Sequence, residues 1–409
     1  MRRISLGDAA LNILFVHQNM PGQFKHLAPH MARLGHKVAF LTQRKGVVIP
    51  GVETVTYAVP RQAAAQTHQY VRLFENSVIA GQEVVRQVQG LRRNGFRPDV
   101  IVAHSGWGEA LFLKDVCPRV PLLTYSEFYY RDAELHFDAT REVSLDQVCR
   151  LRARNANLLL SLEACDAALA PTRWQKAVQP EAFHDKISVI FDGIDTKLVA
   201  PDAQARFALE DGRVLTRADE VVTYVARNLE PYRGFPSFMR SLPRLLAERP
   251  QARVVIVGGD GISYGNAPSG GGTWRETMSA EVPVDPARVH FIPRLAYDRY
   301  LDLLRVSAAH IYLTYPFVLS WSFMEAMASG CLVIGSATKP VEEVIHHGVN
   351  GLLADFHNPD DIARTVIDAL MASQATEPLR RRARAVVEAR YDLAGALTKQ
   401  VKLIGTLAS

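Results

Sequence analysis

Cysteine is scarce in this chain. Four stand in 409 residues, Cys117, Cys149, Cys165 and Cys331, all far apart. None forms a Cys-x-x-Cys pair, so zinc ribbons and dithiol redox motifs have no footing. Buried small hydrophobes in a reducing compartment are the expectation. No Gly-x-Gly-x-x-Gly follows an apolar run, which removes the dinucleotide fingerprint. Charge of one sign is also lacking. Charged residues make up 22% of the chain, the net charge is +5, and the excess is not gathered in one block. That argues against a nucleic-acid partner and suits an anionic cofactor, an anionic acceptor or an anionic membrane surface. The opening MRRISLGDAA has two arginines and no long apolar stretch behind it. No secretory signal is therefore expected. Residues 306–324 lack formal charge if His310 is neutral and are long enough to span a bilayer, but they contain Pro316 and three serines. They read as a strand, a turn and a helix start rather than a spanning helix.

What is present is globular material. Apolar residues reach 48%, and the length predicts two or three domains with separate cores. Short apolar runs alternate with helical patterns. Residues 12–17 (NILFVH), 37–42 (KVAFLT), 99–104 (DVIVAH), 121–125 (PLLTY), 167–170 and 187–191 read as buried strands. Continuous apolar strands separated by helices imply a parallel sheet covered on both faces. Residues 202–219 are polar and weakly periodic, a boundary. The pattern then restarts with strands at 221–226, 253–257, 289–292, 310–314 and 332–334 and helices at 360–372, 379–391 and from 393 to about 404. The expectation is α/β with two doubly wound Rossmann-like domains, 1–205 and 206–392, and a final helix, 393–409, packing back toward the first. The Gly/Ser-rich stretch 262–273 reads as a mobile loop.

In open parallel sheets ligands sit at the carboxyl ends of the strands, and with two domains the cleft between them is the default site. The segments just after each strand therefore matter most. Gly22 follows the first strand and lets a ligand approach a helix start, or is an ordinary turn glycine. Arg227 and Arg233 flank a turn after the first strand of the second half. They would neutralise a diphosphate, or lie solvated on a loop. Gly258 and Gly259 belong to a tight turn, close to a ligand or plain. Residues 317–325 join a strand to a helix whose backbone N–H groups would suit a phosphate. There Ser322 and Glu325 also fit a capping box. In the first half, His104 and Glu127 follow strands as candidate base, donor or electrostatic stabiliser, against a structural role. The run Tyr125, Phe128, Tyr129, Tyr130 would stack on sugar rings or pack in the core.

In this order the segments resemble the retaining glycosyltransferases of family 4, which have the GT-B fold. The resemblance rests on the Arg227…Arg233-Gly234 loop, Gly258-Gly259-Asp260-Gly261 and Glu325-Ala326-Met327-Ala328. Gly330-Cys331-Leu332-Val333-Ile334, Glu342-Glu343-Val344-Ile345 and Asn350-Gly351-Leu352-Leu353 follow, and Phe191-Asp192-Gly193-Ile194-Asp195 lies between the halves. It runs over nearly the whole chain and is strongest in the second half. It implies that Arg227 and Arg233, the latter in place of the usual lysine, contact the donor diphosphate. Glu325 would bind the ribose hydroxyls, Arg294 and Leu295 would flank the base, and Gly22 would lie near the acceptor with Tyr125 and Tyr129. The family's first glutamate falls at Phe317, which cannot accept a hydrogen bond. The sugar would then be held by N–H groups around Leu319, Ser320 and Trp321, with Ser322 beside them, by another side chain, or less tightly. The family's histidine of the first domain falls near Ser126, leaving adjacent Glu127 to contact the reacting centre.

The implied activity is a retaining, metal-independent transfer from a nucleotide-diphosphate sugar, UDP- or GDP-linked. The acceptor would be a glycan, a lipid-linked sugar or a small molecule. No metal is expected, since no Asp-x-Asp-type cluster lies near the diphosphate loops, and no cofactor is expected besides the nucleotide sugar itself as co-substrate. The protein is expected in the cytoplasm, with peripheral contact at the inner membrane face allowed. A nucleotide- or glycan-binding relative without activity, and a nucleotide-sugar epimerase, are the alternatives.

Overall fold

The computed structural model describes residues 10–131, 135–137 and 142–409. The chain divides into two compact units. One comprises the chain up to Gly193 together with Leu393–Ser409, and the other comprises Ile194–Asp392.

The first unit is a seven-stranded, all-parallel sheet. Its strands are β1 (Asn12–Val16), β2 (Lys37–Thr42), β3 (Val52–Thr56), β4 (Val100–His104), β5 (Leu122–Tyr125), β6 (Ala167–Ala170) and β7 (Ile187–Val189). Their order is β3-β2-β1-β4-β5-β6-β7. Alternation explains the continuous apolar runs. Leu14, Val16, Leu41, Ile101 and Ala168 face one core, and Ile13, Phe15, Phe40, Val102 and Leu169 face the other. Both faces are covered, so both parities must be apolar. Val84, Val88 and Leu91 of the helix Arg72–Arg93 close the first face. Leu397, Val401 and Ile404 of the helix Leu393–Ala408 close the second. The edge strand β3 carries the mixed pattern VETVT and is half-exposed, which hid it from a search for apolar runs.

The second unit starts earlier than the expected residue 206. Its hairpin of β8 (Phe207–Ala208) and β9 (Val214–Leu215) lies inside the stretch read as a boundary. Phe207 and Leu215 are each 1% exposed and pack against Val221, Val255 and Leu303. Burial of these two side chains ties the segment to the second core, and the division falls after Gly193, not after residue 205. The main strands are β10 (Val221–Asn228), β11 (Arg253–Gly259), β12 (Val289–Ile292), β13 (Ala309–Tyr312), β14 (Val333–Ser336) and β15 (Leu352–Ala354). They form a parallel sheet ordered β12-β11-β10-β13-β14-β15. The uncharged stretch 306–324 resolves into β13, a loop and the helix Trp321–Ala328. Among the described residues no helix is long and apolar enough to cross a membrane.

Candidate functional site

In each sheet the strand order reverses at one place, between β1 and β4 in the first and between β10 and β13 in the second. Loops leaving neighbouring strands in opposite directions open a crevice there.

In the second unit the crevice is cationic. Arg227, next to the last residue of β10, is exposed, and its side chain makes no hydrogen bond or ion pair among the described residues. Arg233 is half-buried and held by neutral groups. Its Nη1 donates to Thr314 Oγ1 at 2.9 Å and lies 3.4 Å from both Tyr312 Oη and the Val318 carbonyl. The Tyr264 ring stands 5.3 Å from the guanidinium carbon. Burial works against the charge, but the tyrosines around it more than offset this, and the pKa of Arg233 is raised. Gly234 fixes the approach. It has φ +68°, and a Cβ there would come within 2.4 Å of Leu313 Cβ. Only glycine turns the chain into the helix Phe235–Glu248 at this spot.

Glu230 organises the same corner. It is 1% exposed, and its Oε2 accepts from the amides of Ser263, Tyr264 and Gly265 at 3.3, 3.0 and 3.1 Å. The stretch read as a mobile loop is thus tied down at three successive residues. Tyr264 meets Phe317 with ring centroids 4.9 Å apart.

Glu325 makes no capping box. The helix N-cap is Ser320 and carries no side-chain cap bond. Glu325 instead takes the hydroxyls of Tyr297 and Tyr300, at 2.7 and 2.9 Å on its two oxygens. Burial and then the carboxylate raise both tyrosine pKa values, so the hydroxyls stay protonated as donors. The two rings, with Arg294, Leu295 and Ala296, line an open recess. The N–H groups expected around 319–321 are not all free. The Ser320 amide donates to Tyr312 Oη at 2.9 Å, and the Ser320 and Ser322 hydroxyls bond each other. Leu319 is buried and Trp321 opens the helix. Gly258 and Gly259 serve packing. A Cβ at Gly258 would come within 2.6 Å of Leu229, and one at Gly259 within 2.8 Å of Asn228 Oδ1.

In the first unit the strand ends gather His17, Gln23, His104 and Glu127. Gln23 bridges His17 Nε2 and Glu127 Oε1, both at 2.7 Å. Glu127 Oε2 lies 3.6 Å from His104 Nε2. Burial would raise the Glu127 pKa, but His104 and Gln23 outweigh it and lower it. His104 is 1% exposed, sandwiched between Trp107 at 4.6 Å and Tyr125 at 5.3 Å. It is placed to hold Glu127 rather than to meet a ligand. Tyr125 is corrected likewise from sugar-stacking to core. It is 4% exposed, and its hydroxyl donates to Asp192 at 2.8 Å. Phe128 is buried too, while Tyr129 is half-buried beside Arg131. Gly22, at φ +50°, lies so close to His17 that a Cβ would sit 2.4 Å from Nε2.

Two family models match in succession. Glycosyl transferase family 4 group covers residues 34–199, and Glycosyl transferases group 1 covers 210–386. The chain belongs to the family 4 glycosyltransferases of the GT-B fold. It is 30% identical over 193 residues to a D-inositol 3-phosphate glycosyltransferase of Rhodococcus jostii, covering 46% of this chain and 40% of that protein. The corresponding protein of Kribbella flavida is 28% identical over 228 residues, 53% and 50% of the two chains. The chain thus spans about half the length of the curated relatives it matches, or less. Among solved structures, sucrose-phosphate synthase from Thermosynechococcus elongatus superposes with TM-score 0.74 at 16% identity, over 97% of this chain and 99% of that one. HepE of Anabaena in complex with UDP-glucose superposes at 0.68 and 16%, over 97% and 100%.

Within this family 4 chain, the structure brings Arg233, Phe317 and the loop before the helix Trp321–Ala328 together, and Glu325 joins the recess of Arg294 and Leu295. Sequence reading missed His17, Gln23, Glu230 and Tyr264. His17 and Glu230 each follow a strand, which was the available signal; Gln23 and Tyr264 lie in loops whose partners are remote in sequence.

Proposed function

We propose that the protein is a glycosyltransferase that uses a nucleotide-diphosphate sugar and acts with retention and without metal. The observation that carries this reading is Arg233, a cation fixed at the β10/β13 switch point by neutral groups alone, with the unpaired Arg227 on the same strand end. Such a pair lacks its anion and suits a diphosphate. Glu325, a carboxylate fixed by two tyrosine donors, keeps lone pairs for the ribose hydroxyls. The complex of HepE with UDP-glucose and the names of the Rhodococcus and Kribbella proteins favour the same class of donor and of reaction.

In the transfer, an acceptor hydroxyl oxygen bonds the anomeric carbon as the bond from that carbon to the diphosphate oxygen breaks. The leaving nucleoside diphosphate takes the electron pair, and its phosphate takes the hydroxyl proton. Arg227 and Arg233 stabilise the charge growing on that phosphate, which is where preorganised cations contribute most. Front-face attack gives retention without a carboxylate nucleophile. The acceptor is a glycan, a lipid-linked sugar or a small molecule, with peripheral membrane contact in the lipid-linked case.

The test is a thermal-shift panel of UDP, GDP, ADP, dTDP and CMP, with and without chelator. A ligand at about 100 times its dissociation constant adds about 2.7 kcal/mol, a shift of several degrees. A shift with one diphosphate that survives chelation, followed by transfer from its sugar, supports the proposal. No shift with any of them overturns it.

A further inference from the structure

Three tyrosines stand around the Arg233 guanidinium, and they differ in what their hydroxyls have left to give. Tyr224 is 1% exposed, and its hydroxyl donates to the Arg233 carbonyl at 2.6 Å. Tyr312 is 3% exposed, and its oxygen takes the Ser320 amide at 2.9 Å and faces Arg233 Nη1 at 3.4 Å. Neither reaches solvent. Tyr264 is 38% exposed, with its ring centre 5.3 Å from the guanidinium carbon. Among the described residues none accepts its hydroxyl proton.

Burial works against the charge of Arg233, and Tyr312, then Tyr264 and Tyr224, outweigh it, with a side-chain hydrogen bond to Tyr264 added. The guanidinium gives that bond, since it has donors only, and the tyrosine oxygen receives it. A hydroxyl polarised by a cation on its oxygen is a stronger donor through its hydrogen. Arg233 Nη1 is already engaged by Thr314 Oγ1 at 2.9 Å. Part of what this cation offers a ligand is therefore passed on through the O–H of Tyr264.

The loop around Tyr264 is built to hold it there. Glu230 Oε2 takes the three successive amides of residues 263–265. Asn228 Nδ2 donates to Ser263 Oγ at 2.6 Å, and Asp260 at the foot of the loop pairs with Arg275 at 2.6 Å. The Phe317 ring flanks the Tyr264 ring on the other side, 4.9 Å between centroids. These contacts offset the entropy of ordering a Gly/Ser-rich stretch. Donors fixed in advance are the ones that stabilise charge growing during a reaction, because nothing has to reorganise.

We infer that Tyr264 is a further catalytic residue of the transfer proposed above, on which this rests: its hydroxyl donates a hydrogen bond to an oxygen of the leaving phosphate beside Arg233. The proton stays on the tyrosine oxygen throughout. The bond strengthens as the phosphate takes the electron pair of the breaking bond, so it favours the transition state over the bound donor.

The experiment compares full-length wild type with Tyr264→Phe, which keeps the ring against Arg233 and Phe317 and removes only the hydroxyl. Thermal melting checks that the variant is folded. UDP, GDP, ADP and dTDP and the corresponding monophosphates are titrated calorimetrically. The diphosphate that binds wild type is expected to bind the variant about tenfold more weakly. Its monophosphate lacks the leaving phosphate and is expected to bind both proteins alike. Release of that diphosphate from its glucose, galactose, mannose and N-acetylglucosamine derivatives, with water as acceptor, is expected to slow by about 100-fold. Unchanged release overturns the inference. So does tighter diphosphate binding by the variant, which would make Tyr264 a plug over Arg233. Equal weakening of diphosphate and monophosphate would make it a strut of the loop and overturns the inference as well. Each of these results leaves the transferase reading standing. A wild type that binds no nucleotide, or releases none from any of the nucleotide sugars, overturns that reading and takes the inference with it.

Discussion

Glu230 and Tyr264, 34 residues apart in the chain, are joined by a hydrogen bond from the Tyr264 amide to a carboxylate that is 1% exposed. Because the amides on either side bond the same oxygen, one side chain sets the path of the loop. That path lays the Tyr264 ring beside Arg233 and Phe317. Hydrogen bonds to a charged group contribute about 1.5–3 kcal/mol each, though three on one oxygen do not add fully. Glu230→Ala is expected to lower stability by about 2–3 kcal/mol in urea unfolding and to abolish hydrogen-exchange protection at residues 263–265. Retained protection there would show that the loop is held by other contacts.

Arg233→Met keeps the length of the side chain and removes the charge. If Arg233 meets the leaving phosphate, turnover falls by about 100- to 1,000-fold, as when a single preorganised donor is removed. Stability changes little or rises, since a half-buried charge is replaced by an apolar group. Steady-state kinetics with the donor identified by thermal shift decides it, and full activity in the variant would sink the phosphate role.

Glu325→Ala tests the second half of the donor site. The substitution leaves the Tyr297 and Tyr300 hydroxyls without their acceptor. Nucleoside diphosphate affinity is expected to drop by about 1–3 kcal/mol, as for a lost hydrogen bond to a charged group. Isothermal titration measures this directly. Unchanged affinity with a lowered melting temperature would make Glu325 a strut for the two tyrosines and nothing more.

The fold was legible because its strands are buried on both faces. β2 and β6 were bounded to the residue by their apolar runs, and the restart after residue 220 marked the second sheet. What escaped was short or half-exposed. β3 alternates, β15 has three residues, and the β8–β9 hairpin hides in a polar stretch whose few apolar side chains reach the core. At the site, Arg227, Arg233 and Glu325 were visible because position after a strand is a local signal. The partners were not. Ser322-x-x-Glu325 satisfies the capping rule in sequence, yet the helix begins so that Ser320, not Ser322, is the cap. Tyr125 after a strand reads equally as a sugar-stacking ring or as core, and the partner that decides for the core, Asp192, lies 67 residues away. Such choices are made by long-range packing, which no local pattern encodes.

His17 supplies the last expectation. Its ring is 1% exposed. Nδ1 accepts from the Asn19 amide at 2.9 Å, so Nε2 carries the proton and donates to Gln23 Oε1. This neutral tautomer is the one the native packing accommodates. Burial first, then repulsion from His104, lowers the His17 pKa from 6.5 to about 3. Between those values the unfolded chain binds a proton at this site and the native one does not. Stability therefore falls as the pH drops through this window, by about 1.4 kcal/mol per pH unit for one full proton. His310, buried and lowered likewise to about 3, adds to the same slope. His30, His36 and His290 are lowered by burial too, so His17→Gln removes its own contribution and leaves theirs and that of His310. Urea midpoints at about pH 7 and about pH 5 should differ less in the variant than in wild type, by about one proton's worth of slope at the acid end. An unchanged difference would mean that His17 is protonated in the native state, paired through Gln23 with Glu127, and the network at the ends of β1, β4 and β5 would then carry a positive charge rather than a neutral ring.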